Sequence, residues 1–75
     1  MKTVIEILKA IVPEVDENNC HTLLDDGIID SLDIVRLVAN LEAEFQIVIQ
    51  ASDIIPENFN SIISIESLVN MRKNQ

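Results

Sequence analysis

The sequence predicts an all-α fold, a small bundle of three main helices plus one short helix. The chain has 75 residues and is 48% hydrophobic, which suffices for one small core. It holds one Gly and two Pro, too few for the many turns of a β-sandwich. Apolar residues also recur at helical spacing in three segments. We therefore expect residues 1–75 to form a single domain.

The first helix is predicted over residues 3–12. Thr3 and Glu6 have the spacing of a capping box, in which each side chain accepts a hydrogen bond from the other residue's amide. Pro13 ends the helix, because proline cannot continue it. The apolar stripe of this helix comprises Val4, Ile5, Ile7, Leu8, Ile11 and Val12.

A long loop over residues 14–30 follows the first helix. It contains turn-forming residues such as Gly27, together with apolar residues that we expect to fold back onto the core. These apolar residues are Leu23, Leu24, Ile28 and Ile29. Loops of this length in a small domain are often functional.

The second helix is predicted over residues 31–45. Asp30 is a good N-cap, and Asp33 lies at the third helical position, where an acid suits the helix dipole. The face expected to be buried carries Ile34, Leu37, Val38, Leu41 and Phe45. A narrower apolar stripe beside Ser31, formed by Leu32, Val35 and Ala39, is expected to be partly exposed.

The last third of the chain is predicted to hold a connector and two further helical segments. Residues 47–49 are expected to be extended and to fill the bundle with their side chains, because no second strand exists for pairing. A short helical turn is predicted within residues 52–58, around Ile54 and Ile55. Ser61 should cap the final helix, with Arg72 and Lys73 at its negative end. Its expected inward residues are Ile62, Ile65, Leu68 and Val69.

The charge of the chain argues against several classes of partner. The formal net charge is −8, which disfavours nucleic acid and anionic membranes. The chain has no Trp or Tyr, and no apolar run approaches the ~20 residues of a membrane span. It shows no secretion signal, and its single cysteine, Cys20, cannot form a disulfide framework. These features predict a monomeric cytoplasmic protein.

Catalytic and metal sites are also disfavoured by the residue pattern. His21 is the only histidine, and no Gly-x-Ser-x-Gly elbow surrounds any serine, so we expect no catalytic residues and no enzymatic activity. The pair of Cys20 and His21 lacks the second pair of a zinc site. The acids Asp25, Asp26, Asp30 and Asp33 do not have the spacing of a calcium loop, and only weak divalent-ion binding is left open there.

Ser31 is the main candidate functional residue. Its hydroxyl is expected at a helix N-terminus, where unpaired amides and the helix dipole favour an attached anionic group such as a phosphate. Asp30 and Asp33 flank it and offer charge to a basic enzyme. The exposed stripe that begins at Leu32 follows along the same helix. These three features distinguish Ser31 from an ordinary residue of a first helical turn.

The sequence resembles the acyl carrier protein family along essentially its whole length. The resemblance rests on the motif Asp30-Ser31-Leu32-Asp33 with Gly27 before it, and on the helix from Ile34 that ends Leu41-Glu42-Ala43-Glu44-Phe45. It continues through the turn Phe59-Asn60-Ser61-Ile62 into the last helix. The fold that it implies is a small acyl-carrier-like bundle.

The resemblance implies that Ser31 is the attachment residue for 4′-phosphopantetheine. A phosphopantetheinyl transferase, the holo-synthase, would install this covalent cofactor from coenzyme A. The protein would then hold acyl groups as thioesters and carry them between biosynthetic enzymes of a fatty-acid or a specialised lipid or polyketide-type pathway. The alternatives are an aminoacyl carrier (of the D-alanyl or peptidyl type), served by aminoacyl-activating and transferring enzymes, and an unmodified acidic protein-interaction module.

The resemblance also implies a partner-binding face on the second helix. Its expected residues are Asp30, Leu32, Asp33, Val35, Arg36, Ala39, Glu42 and Glu44. Two residues depart from the pattern of fatty-acid carriers. Arg36 stands where those carriers usually place an acid, and Gln50 replaces a common proline. Both departures weaken the inference that the partners are fatty-acid enzymes.

Overall fold

A computed structural model describes residues 2–16 and 20–74 of the chain. Within these residues there are four α-helices and no strand, so the predicted all-α fold of three main helices and one short helix is confirmed. The helices are α1 (Val4–Ile11), α2 (Ser31–Phe45), α3 (Pro56–Phe59) and α4 (Ile62–Lys73), with a 3-10 turn at Ala51–Asp53 before α3. α1 packs against α2 and α4, α2 packs against α4, and α3 packs against α4.

The capping box predicted for α1 is present. The Glu6 amide donates to Thr3 Oγ1 at 3.3 Å, and the Thr3 amide donates to Glu6 Oε1 at 3.1 Å. The helix is one residue shorter at each end than predicted, because Thr3 is the N-cap and Val12 the C-cap. Pro13 follows directly, as expected. The hydrogen bond that Glu6 accepts from the Thr3 backbone lowers the pKa of this carboxyl group below its usual value.

α2 has the predicted bounds and a second capping box. The Asp33 amide donates to Asp30 Oδ1 at 2.9 Å, and the Asp30 amide donates to Asp33 Oδ2 at 3.2 Å. The helix ends at Gln46, which has left-handed backbone angles (φ 53°, ψ 51°) and is the only non-glycine residue with positive φ in the described parts of the chain. Gln46 therefore turns the chain out of the helix at a conformational cost.

The connector after α2 is extended, but only part of it fills the bundle. Ile47 and Ile49 are buried, whereas Val48 between them is 73% exposed. Side chains alternate sides along an extended chain, so three successive residues cannot all point inward. The prediction for residues 47–49 is therefore confirmed for Ile47 and Ile49 and wrong for Val48.

The predicted helical turn around Ile54 and Ile55 is placed wrongly. The structure has the 3-10 turn before these residues and α3 after them, and Ile55 is extended (φ −124°, ψ 153°). Pro56 explains the difference, since a proline disfavours helical angles in the preceding residue and is favoured at the first position of a helix. Ile54 and Ile55 thus bridge two short helical segments.

α4 begins at the predicted cap. The Ser64 amide donates to Ser61 Oγ at 3.0 Å. All four predicted inward residues of α4 are buried. None of the helices in residues 2–16 and 20–74 is long and apolar enough to cross a membrane.

The core combines residues from the helices, the long loop and the connector. Leu23 and Ile29 of the loop are buried and Leu24 and Ile28 are partly buried, which confirms that the apolar loop residues fold back. Cys20 is buried as well. The side chains with the least exposure are Leu8, Val15, Leu23, Leu37, Leu41, Phe59 and Ile65.

A buried ion pair joins the 3-10 turn to the end of α4. Asp53 is the buried charged residue of the described chain, and Arg72 donates to its carboxylate through Nε at 2.8 Å and Nη2 at 2.6 Å. The same carboxylate accepts the Gln50 amide at 3.0 Å. The Arg72 hydrogen bond lowers the pKa of Asp53, and Asp53 raises the pKa of Arg72 in return. This ion pair fixes the segment that leads into Ile54 and Ile55.

Candidate functional site

Ser31 is the first residue of α2, and it is exposed. Within the residues that the structure describes, no hydrogen bond engages its hydroxyl. A modifying enzyme can therefore reach this hydroxyl without breaking an internal contact. The amides of the first helical turn and the helix dipole favour negative charge at this end of the helix. The position suits a serine that carries a phosphodiester.

The two acids that flank Ser31 are part of the helix cap. Asp30 is exposed and Asp33 is half-buried, and each carboxylate accepts the other residue's amide in the box described above. The box holds the backbone on both sides of Ser31, so the hydroxyl is presented from a fixed turn. It also leaves two negative charges beside the hydroxyl.

The loop before Ser31 is tied to the α3–α4 junction by Asn60. The Asn60 backbone carbonyl accepts the Leu23 amide at 2.7 Å, and Asn60 Oδ1 accepts the amides of Leu24 at 2.8 Å and Asp25 at 3.2 Å. Asn60 Nδ2 donates to Asp25 Oδ2 at 3.0 Å. These bonds fix the position of the chain that leads into α2. Sequence reasoning missed this role, because no local pattern links residues 35 or 36 positions apart.

An apolar groove of about 350 Å³ adjoins Ser31. One wall is formed by α2 and the other by the segment that the Asp53–Arg72 ion pair fixes. Its lining residues are Leu24, Ser31, Ile34, Val35, Ile54, Ile55 and Pro56. The groove therefore places apolar side chains beside Ser31. The part played by Ile54 and Ile55 was also missed, because it follows from the misplaced helical turn.

The exposed stripe predicted beside Ser31 is confirmed. Leu32 is 57% exposed and Val35 is 63% exposed, and Ala39 is exposed too. Arg36 lies on the same side of α2 and is exposed. Neighbouring exposed apolar side chains are a common feature of partner-binding surfaces. We refer to Leu32, Val35, Arg36 and Ala39 as the α2 face. That it binds a partner stays a prediction.

The carboxylates of Glu42 and Glu44, which are predicted to contact a partner, both accept hydrogen bonds from backbone amides. Glu42 is half-buried, and its Oε2 accepts the Ile49 amide at 2.9 Å, so it holds the connector in place. Glu44 is also half-buried and accepts the Lys2 amide at 3.2 Å. Because Glu44 is five residues beyond Ala39, it points about 140° away around the helix, toward α1. Their expected contacts with a partner stay predictions, but their carboxylates have structural roles.

The other chemistry-bearing residues do not assemble into a site. His21 is exposed, while its neighbour Cys20 is buried and accepts the Ile62 amide through its backbone carbonyl at 3.0 Å. Across residues 2–16 and 20–74, no group of three His, Cys, Asp or Glu residues is arranged to hold a metal ion. Ser31 and its surroundings are therefore the best-supported candidate site.

Comparisons with known proteins point to one family. Residues 2–72 match the family described as "Phosphopantetheine attachment site". The chain is similar to Aminoacyl carrier protein 1 of Bradyrhizobium diazoefficiens, with 36% identity over 70 residues that cover 88% of this chain and 77% of the relative. No solved structure matches the chain. The match over nearly the full length implies a covalently attached 4′-phosphopantetheine, and the chain belongs to the family of phosphopantetheine-dependent carrier proteins.

Proposed function

We propose that Ser31 carries the 4′-phosphopantetheine arm and that the protein presents an acyl or aminoacyl group to successive enzymes. The observation that carries this proposal is the exposed Ser31 hydroxyl, which has no internal hydrogen bond among the described residues and begins α2. When attached, the arm supplies a terminal thiol that holds its cargo as a thioester. The protein itself contributes a fixed attachment point, an apolar groove and a docking face.

The attachment step uses Ser31 as an oxygen nucleophile. A bond forms between Ser31 Oγ and the phosphorus that bears the pantetheine of coenzyme A. The bond from that phosphorus to the departing adenosine 3′,5′-bisphosphate breaks, and the hydroxyl proton passes to the transferase. The capping box of Asp30 and Asp33 holds the backbone on both sides of Ser31 during this step. The helix terminus then favours the negative phosphodiester.

Intact-mass measurement tests the attachment residue. The protein is incubated with coenzyme A and a phosphopantetheinyl transferase of broad specificity, and we expect the mass to rise by one phosphopantetheine. S31A is expected to show no gain. S52A is the matched control, because Ser52 is also an exposed serine but lies in the 3-10 turn instead of at the start of α2. The S52A variant should be modified like the parent. A gain in S31A, or none in the parent, would refute the assignment.

We propose an aminoacyl group as the cargo, in preference to a fatty-acyl group. The support is the likeness to Aminoacyl carrier protein 1 and the cation Arg36 on the α2 face. Seven residues line the groove beside Ser31, and two of its three isoleucines, Ile54 and Ile55, are 44% and 42% exposed, which suits a small cargo. The acyl carrier stays the competing proposal.

A loading assay separates the two cargoes. The modified protein is offered either to an aminoacyl-adenylating enzyme with a mixture of amino acids, or to an acyl-adenylating enzyme with fatty acids. Intact mass reports which group is attached. We expect aminoacyl loading that is lost in S31A. Loading by the fatty acids alone would establish the competing cargo.

The unmodified interaction module makes the opposite prediction for S31A. If the protein acts without an arm, S31A should retain full function in the cell that normally makes it. A carrier should lose function completely, while S52A should keep it. Growth or product formation that depends on the protein is the measurement.

A further inference from the structure

Arg36 places a positive charge on the α2 face. It is the only basic residue of α2, whose other charged residues are Asp33, Glu42 and Glu44. It lies five residues after Ser31, or about 7.5 Å along the helix axis. Leu32 and Ala39, four residues before it and three residues after it, are its neighbours on the helix surface. The guanidinium is thus set among the exposed apolar side chains of the face.

The Arg36 side chain has no ion-pair partner in the parts of the chain that the structure describes. Asp33 is three residues away, but its carboxylate accepts the Asp30 amide in the capping box. Two other basic residues have partners within the protein. Arg72 pairs with Asp53, and the Lys73 ammonium lies 5.4 Å from the centre of the Phe45 ring. Arg36 is therefore available to a partner.

The surroundings of Arg36 make it sensitive to the sign of an opposing charge. When a partner covers Leu32 and Val35, water is excluded from the surface around the guanidinium. A carboxylate placed against it then forms a strong, directional pair, because guanidinium and carboxylate match in geometry. A lysine or arginine placed there would leave two like charges without water, which suppresses binding.

We propose that Arg36 determines partner specificity and that the enzyme docked on the α2 face places a carboxylate against it. The same partner offers basic groups to Asp30 and Asp33, about one helical turn closer to the attachment point. The surface formed by these two acids and the α2 face therefore has a negative end and a positive middle. It selects an enzyme with the opposite order and rejects one whose docking surface is basic throughout. This inference rests on the proposed attachment of the arm to Ser31.

The transferase reaction provides a direct test. The probe is a phosphopantetheinyl transferase of broad specificity whose carrier-docking surface is basic throughout, and kcat/KM is measured at low salt for the parent, R36E and R36Q. K9E is the matched control, because Lys9 is an exposed base on α1 and the substitution changes the net charge equally. Helicity and thermal unfolding verify that each variant folds.

We expect R36E to raise kcat/KM roughly ten-fold, mainly through a lower KM, because it removes a like-charge contact from the encounter. R36Q should fall between the parent and R36E, and K9E should match the parent. The gain should shrink at high salt, which screens charges. Equal effects of R36E and K9E would show that only net charge matters and would overturn the proposal.

A charge reversal on the transferase tests whether position 36 and the residue that faces it must have opposite charges. The basic residue of the transferase that faces position 36 is replaced by glutamate, and its binding to the parent and to R36E is measured by titration calorimetry without coenzyme A. The altered transferase should prefer the parent. Preference for R36E by both transferases would overturn the proposal. Failure of the arm to attach to Ser31 in the parent is a separate result, seen by mass, and it refutes the proposed function instead.

Discussion

Gly27 shows how a single backbone position shapes the approach to Ser31. Its φ is 71°, and its amide donates to the Leu24 carbonyl at 3.1 Å. The chain then reverses, so that the amides of Ile28 and Ile29 both donate to the Leu23 carbonyl. An added Cβ would meet no atom within 4 Å, so space is available at this position. The need for glycine comes from the positive φ alone.

We expect G27A to lower the free energy of unfolding by about 1 kcal/mol, because L-residues with a Cβ are strained at positive φ. G27N should lose less, since asparagine tolerates left-handed angles better than other residues do. Urea denaturation measures both. A G27A variant as stable as the parent would contradict the left-handed turn, and a large loss in both variants would indicate a steric clash instead.

At the scale of elements, the end of α2 is where the residue type fits its backbone conformation least well in the described chain. Gln46 is left-handed although it is not glycine, and the amides of Gln46 and Ile47 both donate to the Glu42 carbonyl. Glycine is the usual residue at such a helix end. Gln46 is therefore a site of backbone strain at the C-terminal end of the helix that begins at Ser31.

Replacing Gln46 by glycine should stabilise the protein by about 0.5 to 1 kcal/mol, since it relieves the left-handed strain. Q50G is the control. Gln50 has ordinary extended angles (φ −82°, ψ 156°), so glycine there only adds flexibility to the unfolded chain and should be neutral or destabilising. Thermal unfolding gives the comparison. A Q46G variant less stable than the parent would mean that the glutamine side chain contributes contacts beyond its backbone conformation.

The elements that sequence reasoning predicted correctly are those whose signals are local. The caps at Thr3, Asp30 and Ser61 depend on residues three positions apart, and helical periodicity identified the buried faces. The bounds of α2 and the exposure of its face followed from the same signals. The helical turn near Ile55 could have been placed better, because the effect of Pro56 on its predecessor is also local.

The rest of the site depends on contacts that no local pattern reveals. Asn60 holds the loop before Ser31 across 35 or 36 positions, and Glu42 binds the Ile49 amide. Nothing in the local sequence around Asn60 or Glu42 indicates these structural roles. Such long-range pairs depend on tertiary packing, so the local pattern marks Ser31 as a candidate residue but does not reveal the residues that hold it in place.

At the scale of the whole molecule, the Asp53–Arg72 ion pair makes stability depend on pH. The hydrogen bond between Arg72 and Asp53 keeps the pKa of Asp53 lower in the folded protein than in the unfolded chain. This stabilisation is complete above the unfolded value, near pH 4, and is lost as the pH falls through the lowered folded value. Glu6 acts in the same direction through its hydrogen bond with Thr3.

We expect D53N to reduce the melting temperature at pH 7, because Arg72 would keep its charge without its carboxylate. The loss of stability below pH 4 should be shallower in D53N than in the parent. E66Q, which removes an exposed carboxylate on α4, should keep the parent's acid dependence. Thermal unfolding at high salt separates this effect from the general self-repulsion of the −8 chain. Identical acid dependence in D53N and the parent would contradict the assignment.

The same ion pair has a consequence for how related sequences should vary. Asp53 and Arg72 are 19 positions apart in the sequence. Replacing one of them leaves the other as an unpaired buried charge, which destabilises the fold and favours a second substitution. In relatives that share this packing, we expect positions 53 and 72 to vary together, as an acid with a base or as two uncharged residues. Asp53 directly precedes Ile54 and Ile55, so the pair also holds one wall of the groove beside Ser31. Covariation between these two positions would thus show that the same contact holds this wall of the groove in related carriers.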